Sequence, residues 1–416
     1  MTDPRGPHVV VLSSLFPSSQ QPGAGLFIRE RMFRVGAVLP LCVVSPMPWF
    51  PLQGLLRRWR PWFRPGAPSH EKSAGFDVWC PRFLSVPGVL KGLDGLCMAL
   101  GALPRLWRLQ RAGRLDIIDA HFGYPDGYAA TLLGRWLKVP VTITMRGTET
   151  RHARDAALVP KLALALRRAS EVFAVSQSLR RVALALGTPA DKVRVIGNGV
   201  DLRKFSPLPA DDARLALGLP LRVPVLVSVG GLVERKGFHR VIELLPALRQ
   251  NFPGLIYLVV GGPSPEGDMT DALNRQVAEG GLGDAVRFLG PLPPERIREP
   301  LSAANVFVLA TRNEGWANVF LEAMACGLPV VTTDVGGNAE VVSSDKLGAV
   351  VPFGDADLLR EALNHALTQP WDAAVIRHHA EANTWDRRID ELVSRFRSLS
   401  GKPTNTAAGQ TGSVTP

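Results

Sequence analysis

Short β-branched runs alternate with amphipathic segments along almost the whole chain, and this alternation restricts it to parallel sheets built from βαβ units. In the first half, strands are expected at His8–Leu12, Val38–Val44, Asp116–Ala120, Val141–Met145, Glu171–Val175 and Val193–Ile196. In the second they are expected at Val225–Val229, Ile256–Val260, Val286–Leu289, Val306–Leu309, Pro329–Thr332 and Gly348–Val351. Helices fill the gaps; His239–Gln250 places Val241, Leu244, Leu245 and Leu248 on one face by helical spacing. Two α/β series joined near Asn198–Pro209 suit a chain of 416 residues. The expected division is a first Rossmann-like domain over 1–200 and a second over 201–370. A helical segment over 371–400 follows, with Ala373–Leu399 as one Arg-rich helix anchored by Trp385 and Phe396. Residues 401–416 have too few apolar side chains to offset ordering entropy and are expected to be a disordered tail.

Charge is divided unevenly. Of 48 Lys+Arg and 37 Asp+Glu, residues 1–200 hold 27 and 12, net +15, which leaves net −4 for the remainder. Four cysteines, Cys42, Cys80, Cys97 and Cys326, form no CxxC pair, which argues against a disulfide framework and a structural zinc site and suits a reducing compartment. The first residues lack a signal-peptide core. Gly36–Leu56 has 21 residues without charge, the length of a membrane span, but Pro40, Pro46, Pro48 and Pro51 interrupt it and favour a buried strand leading into a loop.

Two segments carry chemistry. In Val225–Phe238, VLVSVGGLVERKGF, a strand runs through Gly231 to Arg235 and Lys236, cations at the carboxyl end of a parallel strand where a diphosphate is held, although a basic pair on a solvated loop reads the same way. In Asn305–Val342 a buried strand is followed by a loop bearing Glu314 and a helix starting near Ala317 or Asn318 and stopped by Gly327 and Pro329. Free amides at such a helix start suit a phosphate. Glu322 stands more than two turns beyond Glu314; its carboxylate suits a ribose diol, or acts as a capping acid.

Together these motifs resemble glycosyltransferase family 4, whose members have the α/β GT-B fold, two Rossmann-like domains facing across a cleft. Glu314 and Glu322 match the family's E-x7-E motif as EGWANVFLE, and Arg235 and Lys236 match its basic pair. Further matches are Ser176 in VSQSLRR, NGVD at Asn198–Asp201, FLG at Phe288–Gly290 and ACGLPVV at Ala325–Val331. The resemblance implies a retaining hexosyltransferase-type glycosyltransferase of bacterial surface polysaccharide synthesis, with a nucleotide-diphosphate sugar as co-substrate and neither cofactor nor metal. It implies that Arg235 and Lys236 hold the diphosphate, Glu322 the ribose, and the Gly315–Asn318 amides the sugar or phosphate, while Gly290 frames the base and Glu314 approaches the transferred sugar. In the first half, Gly25 brings backbone close to the donor phosphate, His121 is a catalytic residue near the transferred sugar, and Arg146 and Glu149 lie on the acceptor side. Many members carry histidine where Arg146 stands.

Asp355 and Asp357 superficially match a DxD metal motif, but Asp355 precedes a helical run and reads as an N-cap. Retention has two routes: double displacement through a carboxylate such as Glu314 or Glu149, or attack by the acceptor on the same face as the departing phosphate, the family's usual proposal. The stretch LLRRWRPWFRPG at 55–66 combines arginines with Trp59, Trp62 and Phe63, which suits an anionic membrane surface. The expected acceptor is therefore a glycan or lipid-diphosphate-linked glycan, and the expected location cytoplasmic, peripheral on the inner face of the cell membrane. A nucleic-acid partner is not expected, because no recognisable nucleic-acid module accompanies the scattered arginines. A nucleotide-sugar 2-epimerase shares the GT-B architecture; E-x7-E favours transfer.

Overall fold

The computed structural model describes residues 6–51, 53–59, 68–264 and 266–401. In chain order its strands are β1 (Val9–Leu12), β2 (Leu41–Val44), β3 (Met47–Trp49), β4 (His70–Ser73), β5 (Phe76–Trp79), β6 (Arg82–Leu84), β7 (Ile117–His121), β8 (Val141–Met145), β9 (Glu171–Ala174) and β10 (Val193–Val195). They continue with β11 (Val225–Val229), β12 (Ile256–Val260), β13 (Val286–Gly290), β14 (Val306–Leu309), β15 (Val330–Thr333) and β16 (Gly348–Val351). The chain forms two compact units. One comprises the residues up to Ala174, Arg180–Ile196 and the chain from Arg388 onward; the other comprises Val175–Leu179 and Gly197–Arg387.

In the first unit the sheet order is β10-β9-β8-β7-β1-β2-β5-β4, and only the β4–β5 pair is antiparallel. Strands β1, β7, β8 and β9 are buried along their whole length, as expected of parallel strands covered on both faces. Strand β1 pairs with β2 on one side and β7 on the other, so successive connections leave it in opposite directions. The carboxyl ends of β1 and β7 therefore flank a topological switch point, where loops diverge and leave room for a ligand.

The second unit repeats this logic with six parallel strands in the order β13-β12-β11-β14-β15-β16, and its switch point lies between β11 and β14. Its apolar side chains form two clusters. One contains Leu309, Phe320 and Met324; the other contains Val241, Leu244, Leu245 and Leu248 of the helix Phe238–Asn251, the face expected from spacing.

Several boundaries differ from the sequence reading, each for a local reason. The strand expected at Val38–Val44 begins at Leu41, because the Val38 and Leu39 amides donate to the Val35 carbonyl and close the preceding helix. Strands β3 to β6 were not foreseen: they are three or four residues long, and HEKS and RFL lack a sustained apolar alternation. The expected helix Ala373–Leu399 is broken into Ala373–Glu381 and Trp385–Ser400. Asn383 and Thr384 leave the helix to meet the NGVD segment: the Val200 amide donates to the Asn383 carbonyl, and a β-carbon on Gly199 would stand 2.5 Å from the Trp385 nitrogen. Both anchors are buried, Phe396 edge-on to Phe173 at 6.1 Å. A single cut near residue 200 is replaced by crossings at Val175–Leu179, Gly197 and Arg388. Residues 402–416 of the expected tail and 60–66 of the Arg/Trp stretch lie outside the described residues.

Candidate active site

The chain leaves β11 through Gly230 and Gly231, forms a short turn over Glu234–Lys236, and enters the helix Phe238–Asn251 from Gly237 at φ 78°. A β-carbon on Gly237 would stand 2.0 Å from the Ala310 carbonyl oxygen, so glycine alone lets this turn press against the end of β14. The Arg312 amide and the Thr311 hydroxyl both donate to the Arg235 carbonyl, at 2.7 and 3.0 Å, and lock the two loops together.

This close approach assembles a charged triad. Glu314 Oε1 accepts from Lys236 Nζ at 2.5 Å and from Arg235 Nη1 at 3.1 Å. The other edge of the guanidinium is also engaged, Nε and Nη2 donating to the two oxygens of Glu266 at 2.5 and 3.0 Å. The Glu314 side chain is 9% exposed and the Glu266 side chain 55%. Burial works against the charge of Arg235, but Glu266 and Glu314 outweigh it and hold its pKa above the ordinary arginine value.

The backbone beside the triad is equally constrained. Gly336, at φ 58°, would place a β-carbon 1.6 Å from the Glu314 carbonyl oxygen, so the turn after β15 lies directly on the Glu314 loop. Buried Gly315 leads to the helix Asn318–Ala325, where Asn318 and Glu322, four apart, share one face. Asn318 Oδ1 accepts from Asn198 Nδ2 at 2.8 Å, which ties the NGVD segment to this helix start. A β-carbon on Gly231 would stand 3.2 Å from the Ser264 β-carbon, and Gly290 ends β13 at φ 68° with open space around it. Ser176 is buried and accepts from the Leu179 amide at 3.3 Å, while Glu340 accepts from the Gln177 and Ser178 amides at 2.7 and 3.1 Å.

In the first unit, His121 closes β7 and Arg146 follows β8. His121 is completely buried; its Nδ1 accepts from Arg146 at 3.0 Å, and Nε2 lies 3.2 Å from Asp119 Oδ2 without the alignment of a hydrogen bond. Burial, only partly opposed by Asp119, lowers its pKa to about 4, so the ring is neutral. Burial, with Arg31 nearby, holds Arg146 well below the ordinary arginine range. Arg31 is itself fully buried, lowered to about 10 by desolvation; Nη2 donates to the Ile196 carbonyl while Nε and Nη1 have no partner among the described residues. Glu149 is committed to backbone: Oε1 accepts from Gly123, and Oε2 from Arg146 and Gly147, at 2.8, 3.1 and 2.8 Å respectively. It shapes the loops after β7 and β8 instead of presenting a free carboxylate. Gly25, at φ 69°, begins the helix Leu26–Gly36 and would place a β-carbon 2.6 Å from the Leu15 carbonyl.

Residues 62–204 match the family described as Glycosyltransferase Family 4, and residues 210–383 the one described as Glycosyl transferases group 1. A D-inositol 3-phosphate glycosyltransferase of Corynebacterium urealyticum is 30% identical over 69% of this chain and 72% of its own. The putative teichuronic acid biosynthesis glycosyltransferase TuaC of Bacillus subtilis is 29% identical over 88% of this chain and 91% of its own. The chain belongs to glycosyltransferase family 4. Among solved structures, Anabaena Alr3699/HepE in complex with UDP superposes with a TM-score of 0.70 at 20% identity, covering 94% of this chain and 99% of that one, and the fold of this glycosyltransferase is GT-B.

In this family 4 enzyme Arg235 and Lys236, expected to hold the diphosphate, both donate to one oxygen of Glu314, expected to approach the transferred sugar. Sequence reasoning missed Glu266, whose partner is 31 residues away, and Glu340 and Arg31, whose partners lie more than 160 residues away. Asp355 is the N-cap expected, accepting from the Leu358 amide at 2.9 Å. Among the described residues no group of three or more His, Cys, Asp or Glu side chains is placed to hold a metal ion.

Asp126 was also missed. It is fully buried at the end of the loop after β7, and it accepts from the amide and hydroxyl of Ser14 at 2.5 and 3.0 Å. Burial raises its pKa to about 7 against the pull of those bonds. A raised carboxyl pKa means that the folded state binds the proton more tightly, so stability is lost as pH rises from about 4 to about 7. Asp126→Asn removes the charge and keeps an oxygen to accept from the Ser14 amide, while its Nδ2 donates to the Ser14 hydroxyl in place of the present acceptor. Its melting temperature is expected to exceed wild type by a margin that widens across that interval and then levels; a margin independent of pH would refute the assignment.

Proposed function

We propose that this glycosyltransferase is a retaining enzyme that moves a sugar from a nucleotide-diphosphate sugar to a glycan or lipid-diphosphate-linked acceptor in bacterial surface polysaccharide synthesis. The observation that carries the donor assignment is the convergence of Arg235 and Lys236 at the β11/β14 switch point. Two cations at the carboxyl end of parallel strands, beside the start of the helix Asn318–Ala325, suit a diphosphate. Alr3699/HepE has also been solved with UDP-glucose, and TuaC is named for teichuronic acid biosynthesis; both likenesses support the reading.

In this mechanism Glu322 binds the ribose diol, the Gly315–Asn318 amides meet the sugar or phosphate, and Gly231, Gly25 and Gly290 admit the donor closely to backbone. Gly290 frames the base. The bond between the anomeric carbon and the β-phosphate oxygen breaks, and Arg235 and Lys236 stabilise the charge that develops on that phosphate. The acceptor hydroxyl attacks from the same face and gives its proton to the departing phosphate. Glu149, occupied by three backbone amides, favours this route over a covalent intermediate on that residue. Glu314, freed from the cations by the incoming diphosphate, turns to the transferred sugar. His121 contributes as a neutral ring, its tautomer set by Arg146, and Arg146 lines the acceptor side. The cations that meet the diphosphate are side chains, and no metal ion is assigned a role. The acceptor is met at the inner face of the cell membrane, where the chain attaches peripherally.

Thermal-shift measurement with UDP, GDP and ADP sugars tests the donor class, since a ligand at a hundred times its Kd stabilises by about 2.7 kcal/mol. Glu322→Ala is expected to weaken nucleotide binding, while Arg235→Ala or Lys236→Ala lowers kcat by about 10²–10³. Unchanged nucleotide affinity in Glu322→Ala would remove the ribose assignment.

Glu266 adds a second expectation. It occupies the guanidinium edge that a diphosphate would take, and its exposure makes it the displaceable partner. An exposed pair is worth about 0.2–1 kcal/mol, so Glu266→Ala should tighten UDP binding by up to about fivefold, less at high salt. Weaker binding, measured by calorimetry, would show instead that Glu266 positions Arg235.

A further inference from the structure

Eleven of the sixteen large apolar side chains exposed among the described residues lie between Trp49 and Trp107. They continue from one element to the next. Trp49 and Leu84 are directly paired across β3 and β6 and both point to solvent. Val86, Val89, Leu90 and Leu93 follow in the connection to the helix Asp94–Arg111, with Leu90 at φ 53°, a conformation that favours glycine or asparagine over leucine.

The helix extends this surface. Its core-facing side carries Met98, Ala99, Ala102, Leu106 and Leu109, all buried. Leu96, Leu100, Leu103 and Trp107 recur at intervals of four, three and four, which places them within about 60° of one another on the outer side. Leu100 is 55% exposed and Trp107 47%. A helix apolar on two sides calls for two apolar partners, and among the described residues only the inner one is present.

Charge identifies the outer partner. From Arg82 to Arg111 the chain carries Arg82, Lys91, Arg105, Arg108 and Arg111 against a single acid, Asp94, which is held by Lys91 at 3.2 Å. Arg111 stacks over the Trp107 ring at 4.4 Å, so a cation borders the apolar stripe. The short helix Gln53–Trp59 adds Leu55 and Leu56 beside Arg57 and Arg58. A second copy of the chain would bring two such basic faces together. Among the described residues no helix is long and apolar enough to cross a membrane.

We propose that this face is the docking surface for an anionic lipid bilayer, with the helix Asp94–Arg111 lying in the plane of the interface. Its leucines and Trp107 enter the headgroup–acyl boundary, and Lys91, Arg108 and Arg111 meet the lipid phosphates. The inference gives the peripheral attachment proposed above a location, and it rests on that attachment and not on the donor assignment.

The test is sedimentation with vesicles of phosphatidylcholine alone and of phosphatidylcholine with phosphatidylglycerol, using the full chain and the variant L96E/L100E. Both residues are exposed, so the variant is expected to melt like wild type and to keep the wild-type stabilisation by nucleotide. Wild type is expected to bind the anionic vesicles at low salt and the neutral ones weakly, and the variant to lose at least about tenfold in partition. Anionic vesicles left unbound by wild type would overturn both attachment and surface, with donor binding untouched. A variant that binds as well as wild type would overturn the surface alone. A wild-type dimer that the variant dissociates, with no vesicle binding, would assign the face to a second copy.

Discussion

Glu314 holds Lys236 and Arg235 on one nearly buried oxygen, and the second unit is arranged around that contact. Desolvating three charges is costly, and their mutual attraction repays the cost only when the geometry is tight. The glycines supply that tightness. Gly237 lets the Arg235 turn press on the end of β14, and Gly336 lets the next turn lie on the Glu314 backbone. Three loops from β11, β14 and β15 are thereby fixed against one another before any ligand arrives, which is how a site is preorganised for charge that develops later.

The first unit uses buried charge differently. Arg31, Asp119, His121 and Arg146 are withdrawn from solvent at the carboxyl ends of β7 and β8 and along the first helix, and burial pushes His121 and both arginines toward their neutral forms. Glu149 gives its hydrogen-bonding capacity to backbone amides. The result is a rigid polar floor whose rings and guanidinium groups are oriented by each other. The outer side of this unit is instead apolar with a basic border, so the net +15 of residues 1–200 has two destinations, an internal network and an external face.

The alternation of apolar runs and amphipathic helices was enough to locate all six strands of the second sheet and six of the ten in the first unit, because buried parallel strands are recognisable by composition alone. The four missed strands are short and partly exposed, so neighbouring segments rather than their own residues hold them extended. The break in the C-terminal helix was invisible for the same reason: helical spacing runs through Asn383, and only the approach of Val200 and Gly199 opens it.

Local patterns along the chain were enough for the fold class, the family and the choice of Arg235, Lys236 and Glu314 as site candidates, since strand ends, paired glycines and E-x7-E are read without the fold; the pairing of Glu314 with both cations was not among the expectations. Tertiary structure alone decided which charges meet. Glu266 finds Arg235, Arg31 finds the Ile196 carbonyl and Asp126 finds Ser14 because parallel strands bring distant loops to one end of a sheet, and no spacing along the chain encodes that encounter. It also decided which leucines are core and which are surface in the helix Asp94–Arg111, whose apolar residues surround the axis too widely for periodicity to name the buried side.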